Sequence, residues 1–207
     1  MKLIDGKLLA SNIRAEISQK VARFPREIGL AVVIVGEDPA SQIYVRNKIK
    51  ACAEVGFKSY SYELPETTGQ EELESLLTRL ANDNKVDGIL LQLPLPKHID
   101  AKSALSKIPP EKDVDGFSAE NIGLLVKNDP SCSVACTPYG VMKMLESENI
   151  EISEKRAVVL GRSVTVGKPM SLLLLNANAT VTTCHSKTQN IKEICREADI
   201  LVSAIGK

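Results

Sequence analysis

Ser41, Tyr44 and Lys48 lie at i, i+3 and i+7 in the stretch PASQIYVRNKIKACAEVGF, so on an α-helix they project from one face in successive turns. A tyrosine there offers an aromatic plane for a flat heterocycle, and a lysine partly withdrawn from water can trade a proton with a substrate. The same two residues also fit a half-buried core tyrosine and a surface lysine that keeps its ammonium in water. Gln92 closes the apolar run VDGILLQL just ahead of LPLP. Its amide is costly to bury without a partner, so it is expected to face a ligand or Lys48. In KDVDGF, Asp113 and Asp115 occupy a glycine turn, where a carboxylate can accept paired hydrogen bonds from an amino-pyrimidine edge. Asp-Gly is equally a common turn pair.

A second constellation begins at GRSVTVGKP. An apolar run, RAVVL, leads straight into Gly161, Arg162 and Ser163 and then into a helical segment, which is where open parallel sheets bind nucleotides. The match to G-x-G-x-x-G is partial. Ser163 stands in place of the second glycine, Val166 in place of the third, and Gly167 follows one position late. An ordinary strand-to-helix loop fits the same letters. The next strand ends at Cys184-His185-Ser186-Lys187-Thr188, without the acidic residue that commonly holds an NAD ribose. Arg162, Ser186 and Lys187 can bond a phosphate instead, which favours NADP over NAD; solvated surface charges are the alternative.

The elements that position these residues follow from hydrophobic period. Leu8, Leu9, Ile13, Ile17 and Val21 predict a helix over 7–24 that faces a core. GLAVVIVG (29–36) reads as a strand buried on both faces, followed by a helix with Pro39 in its first turn and Gly56 at its end. A strand at 58–64, a helix at 70–83 and a strand at 86–93 complete a βαβαβ pattern, hence a parallel sheet. A short helix near 101–107, the turn-rich IPPEKDVDGF, and helices near 119–126 and 138–148 come next. A second unit follows: strand 156–161, helix 167–176, strand 180–184, helix 189–197 and strand 200–206.

The fold class expected is therefore α/β: an N-terminal parallel-sheet domain (1–137) with helices on both faces, then a Rossmann-like dinucleotide-binding domain (138–207). The helix at 138–148 is the expected connector. A dinucleotide fold has two βαβαβ halves, and this stretch ends with the third strand of the first, so the second domain is expected to be truncated.

Composition excludes several classes. Lys plus Arg and Asp plus Glu each number 26, so no net field favours nucleic acid or an anionic membrane. No apolar run approaches a membrane span, and the N-terminus lacks a signal-peptide core, which points to a cytoplasmic protein. Five scattered cysteines (Cys52, Cys132, Cys136, Cys184, Cys195) fit reduced thiols, and with His98 and His185 as the histidines no zinc spacing emerges; no metal is expected.

Taken together, GEDPASQIYVRNKIKACAEVGF, DGILLQLPLP, PEKDVDGF, CTPYGV and GRSVTVGKPM stand in the order and approximate spacing of one family. Over essentially its whole length the chain resembles the bifunctional methylenetetrahydrofolate dehydrogenase/methenyltetrahydrofolate cyclohydrolases. That resemblance implies that Lys48 is the catalytic lysine, Tyr44 stacks on folate, Gln92 tunes the lysine, and Asp115 anchors the pterin. Leu91 and Leu93, either side of Gln92, would line the substrate site, and Asp113 would be structural. Gly161, Arg162, Ser163 and Gly167 would form the cofactor loop, with His185 and Ser186 at the adenosine ribose or its phosphate.

The implied activity is NADP-dependent oxidation of 5,10-methylenetetrahydrofolate to the methenyl form, then hydrolysis to 10-formyltetrahydrofolate, in a homodimer. Lys48 would serve the hydrolysis, while hydride transfer would rest on positioning. Two other readings stand beside this one. A chain natively truncated here would be a non-catalytic or hydrolase-only folate-binding protein. A monofunctional dehydrogenase is the second, and the presence of both Lys48 and Gln92 argues against it.

Overall fold

Alternate residues of a strand point to opposite faces of its sheet, so a seven-residue run without a polar side chain needs cover on both sides. In a computed structural model describing residues 3–206, β1 (Gly29–Val35) has that cover. Val32 and Ile34 pack with Val45, Leu90 and Ile49 on one face. Ala31, Val33 and Val35 pack on the other with Leu73, Leu76, Leu77 and Leu80.

The covering helices are α2 (Pro39–Val55) and α3 (Gln70–Ala81), which connect β1 to β2 (Lys58–Leu64) and β2 to β3 (Gly88–Leu91). The sheet is parallel with order β2-β1-β3. Because parallel crossovers are right-handed, a step from β1 to β2 and a return past β1 to β3 put the two helices on opposite faces. Local chemistry fixes where α2 begins and ends. Asp38 accepts from the Ser41 N–H at 2.8 Å, Pro39 occupies the first turn, and Gly56 ends the helix at φ +89°.

The first helix, α1 (Gly6–Val21), departs from expectation. It buries none of its residues and lies against α2 rather than on the sheet, leaving Leu8 exposed. The short α4 (Ala101–Leu105) and a 3₁₀ turn (Pro110–Lys112) fill the segment before the second unit. Lys112 there donates to the carbonyls of Ala81 and Asp83 at the end of α3.

The described residues divide into two compact units, one of Asp5–Val114 and the other of the segment from Asp115 onward together with Leu3 and Ile4, whereas the topology of the sequence put the change between 137 and 138. Helices α5 (Ala119–Val126) and α6 (Cys136–Ser147) belong to the second unit. Val141, Met142 and Leu145 of α6 pack on the core of that unit, so α6 is part of it rather than a connector. The rest of the unit is β4 (Arg156–Leu160), α7 (Gly167–Asn176), β5 (Thr180–Cys184), α8 (Ile191–Arg196) and β6 (Ile200–Ser203).

The second sheet is parallel with order β5-β4-β6. This corrects one expectation. In the usual dinucleotide half the third strand lies beyond the second, but here β6 lies on the far side of β4. The reversal of strand order, where open sheets bind ligands, therefore falls between β4 and β6.

Both units are pinned by the same device. Asp87 stands directly before β3; its N–H donates to the carbonyl of Gly29 at 2.8 Å, and its Oδ2 accepts from the Gly29 N–H at 2.8 Å. Asp199 stands directly before β6 and exchanges the same two bonds with Arg156, the first residue of β4, each at 2.9 Å. At the other end, Gly36 donates to the last residue of β2 and Gly161 to the last residue of β5. Arg26 adds a two-pronged ion pair to Asp87.

The Arg26 guanidinium and the Gly29 N–H hold the Asp87 carboxyl below its ordinary value. A depressed folded pKa stabilises above the unfolded value, about 3.9, and that stabilisation disappears as pH falls through the folded value. Asp87→Asn is expected to lose about 1 kcal/mol at pH 7. In urea unfolding followed from pH 7 to pH 3, the difference from wild type should shrink with acid; a pH-independent difference would contradict this account.

Candidate active site

The carboxyl end of the first sheet brings Lys48 and Gln92 together. On α2, Ser41, Val45 and Cys52 form the buried stripe against the sheet, and Lys48 occupies the same stripe, half-buried. Its Nζ donates to Gln92 Oε1 at 3.3 Å. Gln92 Nε2 in turn donates to the Leu93 carbonyl at 2.7 Å, so the amide is oriented with its oxygen towards the lysine. The Gln92 N–H continues the ladder to Val33, which ties this side chain to the central strand. Lys48 is thus not a freely snorkelling surface lysine.

Tyr44, at the margin of the stripe, is 62% exposed, so its ring is open to a partner rather than packed in the core. Ser41 is buried beneath it in sequence, and the three residues do not share one exposed face. Leu91 lies in the core against α3 at 2% exposure, which leaves its backbone rather than its side chain for any ligand; Leu93 is half-buried. Asp113 is buried and forms an isolated parallel bridge with Ile89 beside β3. Asp115, two residues further, is half-buried and precedes Gly116 at φ +65°.

In the second unit the loop from β4 to α7 is shaped by two glycines. A Cβ on Gly161 would sit 2.5 Å from the Ala204 carbonyl oxygen beyond β6, and one on Gly167 would sit 2.3 Å from the Gly161 carbonyl oxygen. Gly167 therefore does the work of a third fingerprint glycine, letting the helix start close against the strand, one residue later than the usual spacing. Ser163 Oγ accepts from the N–H groups of Val166 and Gly167 at 3.2 Å each, a capping role that its replacement of a glycine did not suggest. At the end of β5 the backbone folds tightly. His185 N–H donates to Thr188 Oγ1, and the Lys187 N–H donates to His185 Nδ1 at 3.2 Å. Arg162, Ser186 and Lys187 are exposed at these loops.

The corresponding loops of the two units differ in charge. After β1 come Glu37 and Asp38, with Asp38 already capping α2, so an anion is repelled there. After β4 the loop Arg162–Gly167 carries no acid, and the N–H groups of Val166 and Gly167 at the start of α7 meet the uncharged Ser163 hydroxyl rather than a carboxylate. A phosphate fits the second loop and not the first. Among the described residues no group of three or more His, Cys, Asp or Glu is placed to hold a metal, and no helix is long and apolar enough to cross a membrane. Cys52 and Cys184 are buried, with burial raising both thiol pKa values.

Such a chain is a two-unit α/β protein that joins a lysine-glutamine site on one parallel sheet to a nucleotide loop on another. The profile of the tetrahydrofolate dehydrogenase/cyclohydrolase catalytic domain matches residues 4–115, and that of the same family's NAD(P)-binding domain matches 135–207. The chain belongs to the tetrahydrofolate dehydrogenase/cyclohydrolase family. It is 52% identical over 209 residues to the bifunctional protein FolD of Moorella thermoacetica, covering 100% of this chain and 74% of that one.

Among solved structures, the FolD methylenetetrahydrofolate dehydrogenase/cyclohydrolase of Campylobacter jejuni superposes with TM-score 0.96 at 45% identity. It spans 100% of this chain and 74% of its own. The Trypanosoma brucei enzyme, complexed with NADP cofactor and an inhibitor, gives TM-score 0.94 at 43% identity, with 100% and 72% covered.

The glycine geometry yields a direct test. Gly167→Ala forces a backbone clash and is expected to lower the thermal midpoint and weaken nucleotide binding together. Gly140→Ala, with nothing within 4 Å of the new Cβ in α6, should be neutral or slightly stabilising. Equal effects of the two substitutions in thermal melts would contradict the close-packing role.

Proposed function

We propose that this chain interconverts 5,10-methylenetetrahydrofolate and 5,10-methenyltetrahydrofolate with NADP and hydrolyses the methenyl form to 10-formyltetrahydrofolate. The observation that carries the reading is a lysine in the core-facing stripe of α2, hydrogen-bonded to an oriented glutamine, in a chain of this family. Folate is the substrate class, and Tyr44, Lys48, Gln92, Leu93 and Asp115 are its contacts, with Leu91 contributing backbone. Tyr44 stacks on the heterocycle, and Asp115 accepts from the pterin's amino edge. The folate site is centred on the first unit, which the catalytic-domain match covers, and the nucleotide-binding part is the second.

NADP fits the second unit. The Gly161 and Gly167 cradle has no space for a Cβ, and no carboxylate follows β5 to repel a 2′-phosphate. Gly161, Arg162, Ser163 and Gly167 would hold its pyrophosphate side, and His185 and Ser186 its adenosine ribose or phosphate. When bound, it supplies the hydride acceptor. The substrate needs no protein base for that step, because loss of hydride leaves an amidinium-type cation stabilised by its own two nitrogens. What the chain contributes is placement of the methylene carbon.

Hydrolysis does need a proton carrier. Water adds to the methenyl carbon as its proton passes to the Lys48 amine. The Lys48 ammonium then delivers that proton to the departing ring nitrogen as the carbon–nitrogen bond breaks, and the remaining hydroxyl proton leaves to solvent as the formyl carbonyl forms. Gln92, its oxygen held towards Nζ by the bond to Leu93, keeps the ammonium aimed along this path. The working form is a cytoplasmic homodimer, a reading that rests on the family; a mass equal to one chain in sedimentation equilibrium would refute the dimer.

Lys48→Ala and Lys48→Gln are expected to lower methenyl hydrolysis by at least about a hundredfold, the usual scale of general acid–base catalysis, while folate binding persists. Near-normal hydrolysis in either variant would overturn the role of Lys48.

A further inference from the structure

A close backbone approach bounds the turn that carries Asp115. Gly116 is buried at φ +65°, and a Cβ there would lie 2.3 Å from the Ser133 carbonyl oxygen and 3.1 Å from the Ala135 nitrogen. Where residues 133–135 lie therefore decides where the Asp115–Gly116 turn lies. That stretch is held in turn by a buried polar side chain. Asn121, 2% exposed on α5, accepts the Ser133 N–H through Oδ1 at 3.0 Å. Asn121 is itself seated in the first turn of α5, where its N–H donates to the capping Ser118 Oγ at 3.1 Å. The chain from Gly116 to Ser118, the cap from Ser118 to Asn121, the bond from Asn121 to Ser133, and the contact from Ser133 back to Gly116 make a closed ring. Asp115 stands at its exit.

From this ring we infer that Asn121 is a positioning residue for substrate recognition: it fixes the Asp115 carboxylate for the pterin edge without touching the ligand. The inference rests on the anchoring role proposed for Asp115. A polar side chain buried at a core position, one turn before the buried Leu125, leaves the Ser133 N–H without its acceptor when removed. The ring then opens at the point that supports Gly116, and a displaced or tilted carboxylate makes weaker paired hydrogen bonds.

The test titrates the 207-residue chain with 5,10-methenyltetrahydrofolate and, separately, with NADP. Asn121→Ala is expected to weaken folate binding about tenfold and NADP binding less than twofold. In an Asp115→Asn background the same substitution should add less than twofold, because the two residues act on one contact. Gly116→Ala should reproduce the folate-specific loss, and it carries the same readouts if Asn121→Ala does not fold. Unchanged folate binding in Asn121→Ala, parallel loss of both ligands, or full additivity in the double variant would overturn the proposal. Unchanged folate binding in Asp115→Asn overturns the anchoring role itself, whereas loss there with none in Asn121→Ala overturns only the ring.

Discussion

A pair of reciprocal hydrogen bonds between an aspartate and the first residue of the central strand sets the geometry of each unit. Asp87 with Gly29 and Asp199 with Arg156 exchange N–H and carbonyl on one side and offer a carboxylate oxygen on the other. The bonds tie the third strand beside the first at its amino end. With the strand order reversed at that point, the carboxyl ends of β1 and β3, and of β4 and β6, are forced to diverge into loops on either side. The crevice so made is the place where an open α/β sheet can hold a ligand. Lys48 and Gln92 in one unit and Gly161 in the other all depend on it.

One plan thus serves two chemistries, and loop charge separates them. In the first unit the helix N-terminus is consumed by Asp38, and the useful groups come from the helix flank and the end of β3. In the second, two glycines bring strand and helix so close that the backbone itself forms the lining, and Ser163 tidies the loop's own donors. Hydride transfer asks mainly for placement, the part proposed for the backbone cradle. Hydrolysis asks for a mobile proton on a directed amine, the part proposed for the half-buried lysine hydrogen-bonded to an oriented amide.

The polar groups that matter most stand where apolar ones would stabilise more. Lys48 occupies the buried stripe of α2, and Asn121 occupies the core register of α5 beside Leu125. Each is tolerated because a partner meets it: Gln92 in the first case, the Ser133 N–H in the second. Burying an amide or an ammonium without such partners costs more than packing returns, so their presence at core positions is itself a signal. For Asn121 the sequence shows a polar residue in ENIGLL spaced one turn from a leucine, a pattern that an ordinary surface helix shares.

Much of the fold was legible in order along the chain. The β-branched run at β1, the leucines of α3, Pro39 and Gly56 at the ends of α2, and the motif set that marks the family are local or additive signals, and short-range sterics and burial suffice to read them. Helix spacing also set Lys48 apart, but only as one of two readings. Tertiary structure decided what spacing cannot: that β6 lies beside β4 and not beyond β5, that α1 lies on α2 with no residue buried, and that α6 belongs to the second core. It also placed Leu91 inside the core and gave Lys48 its hydrogen bond to Gln92, 44 residues away in the chain. Strand order and long-range pairing arise from contacts between segments whose separation leaves no periodic mark, so the residue types were written in the sequence while their partners were settled only on folding.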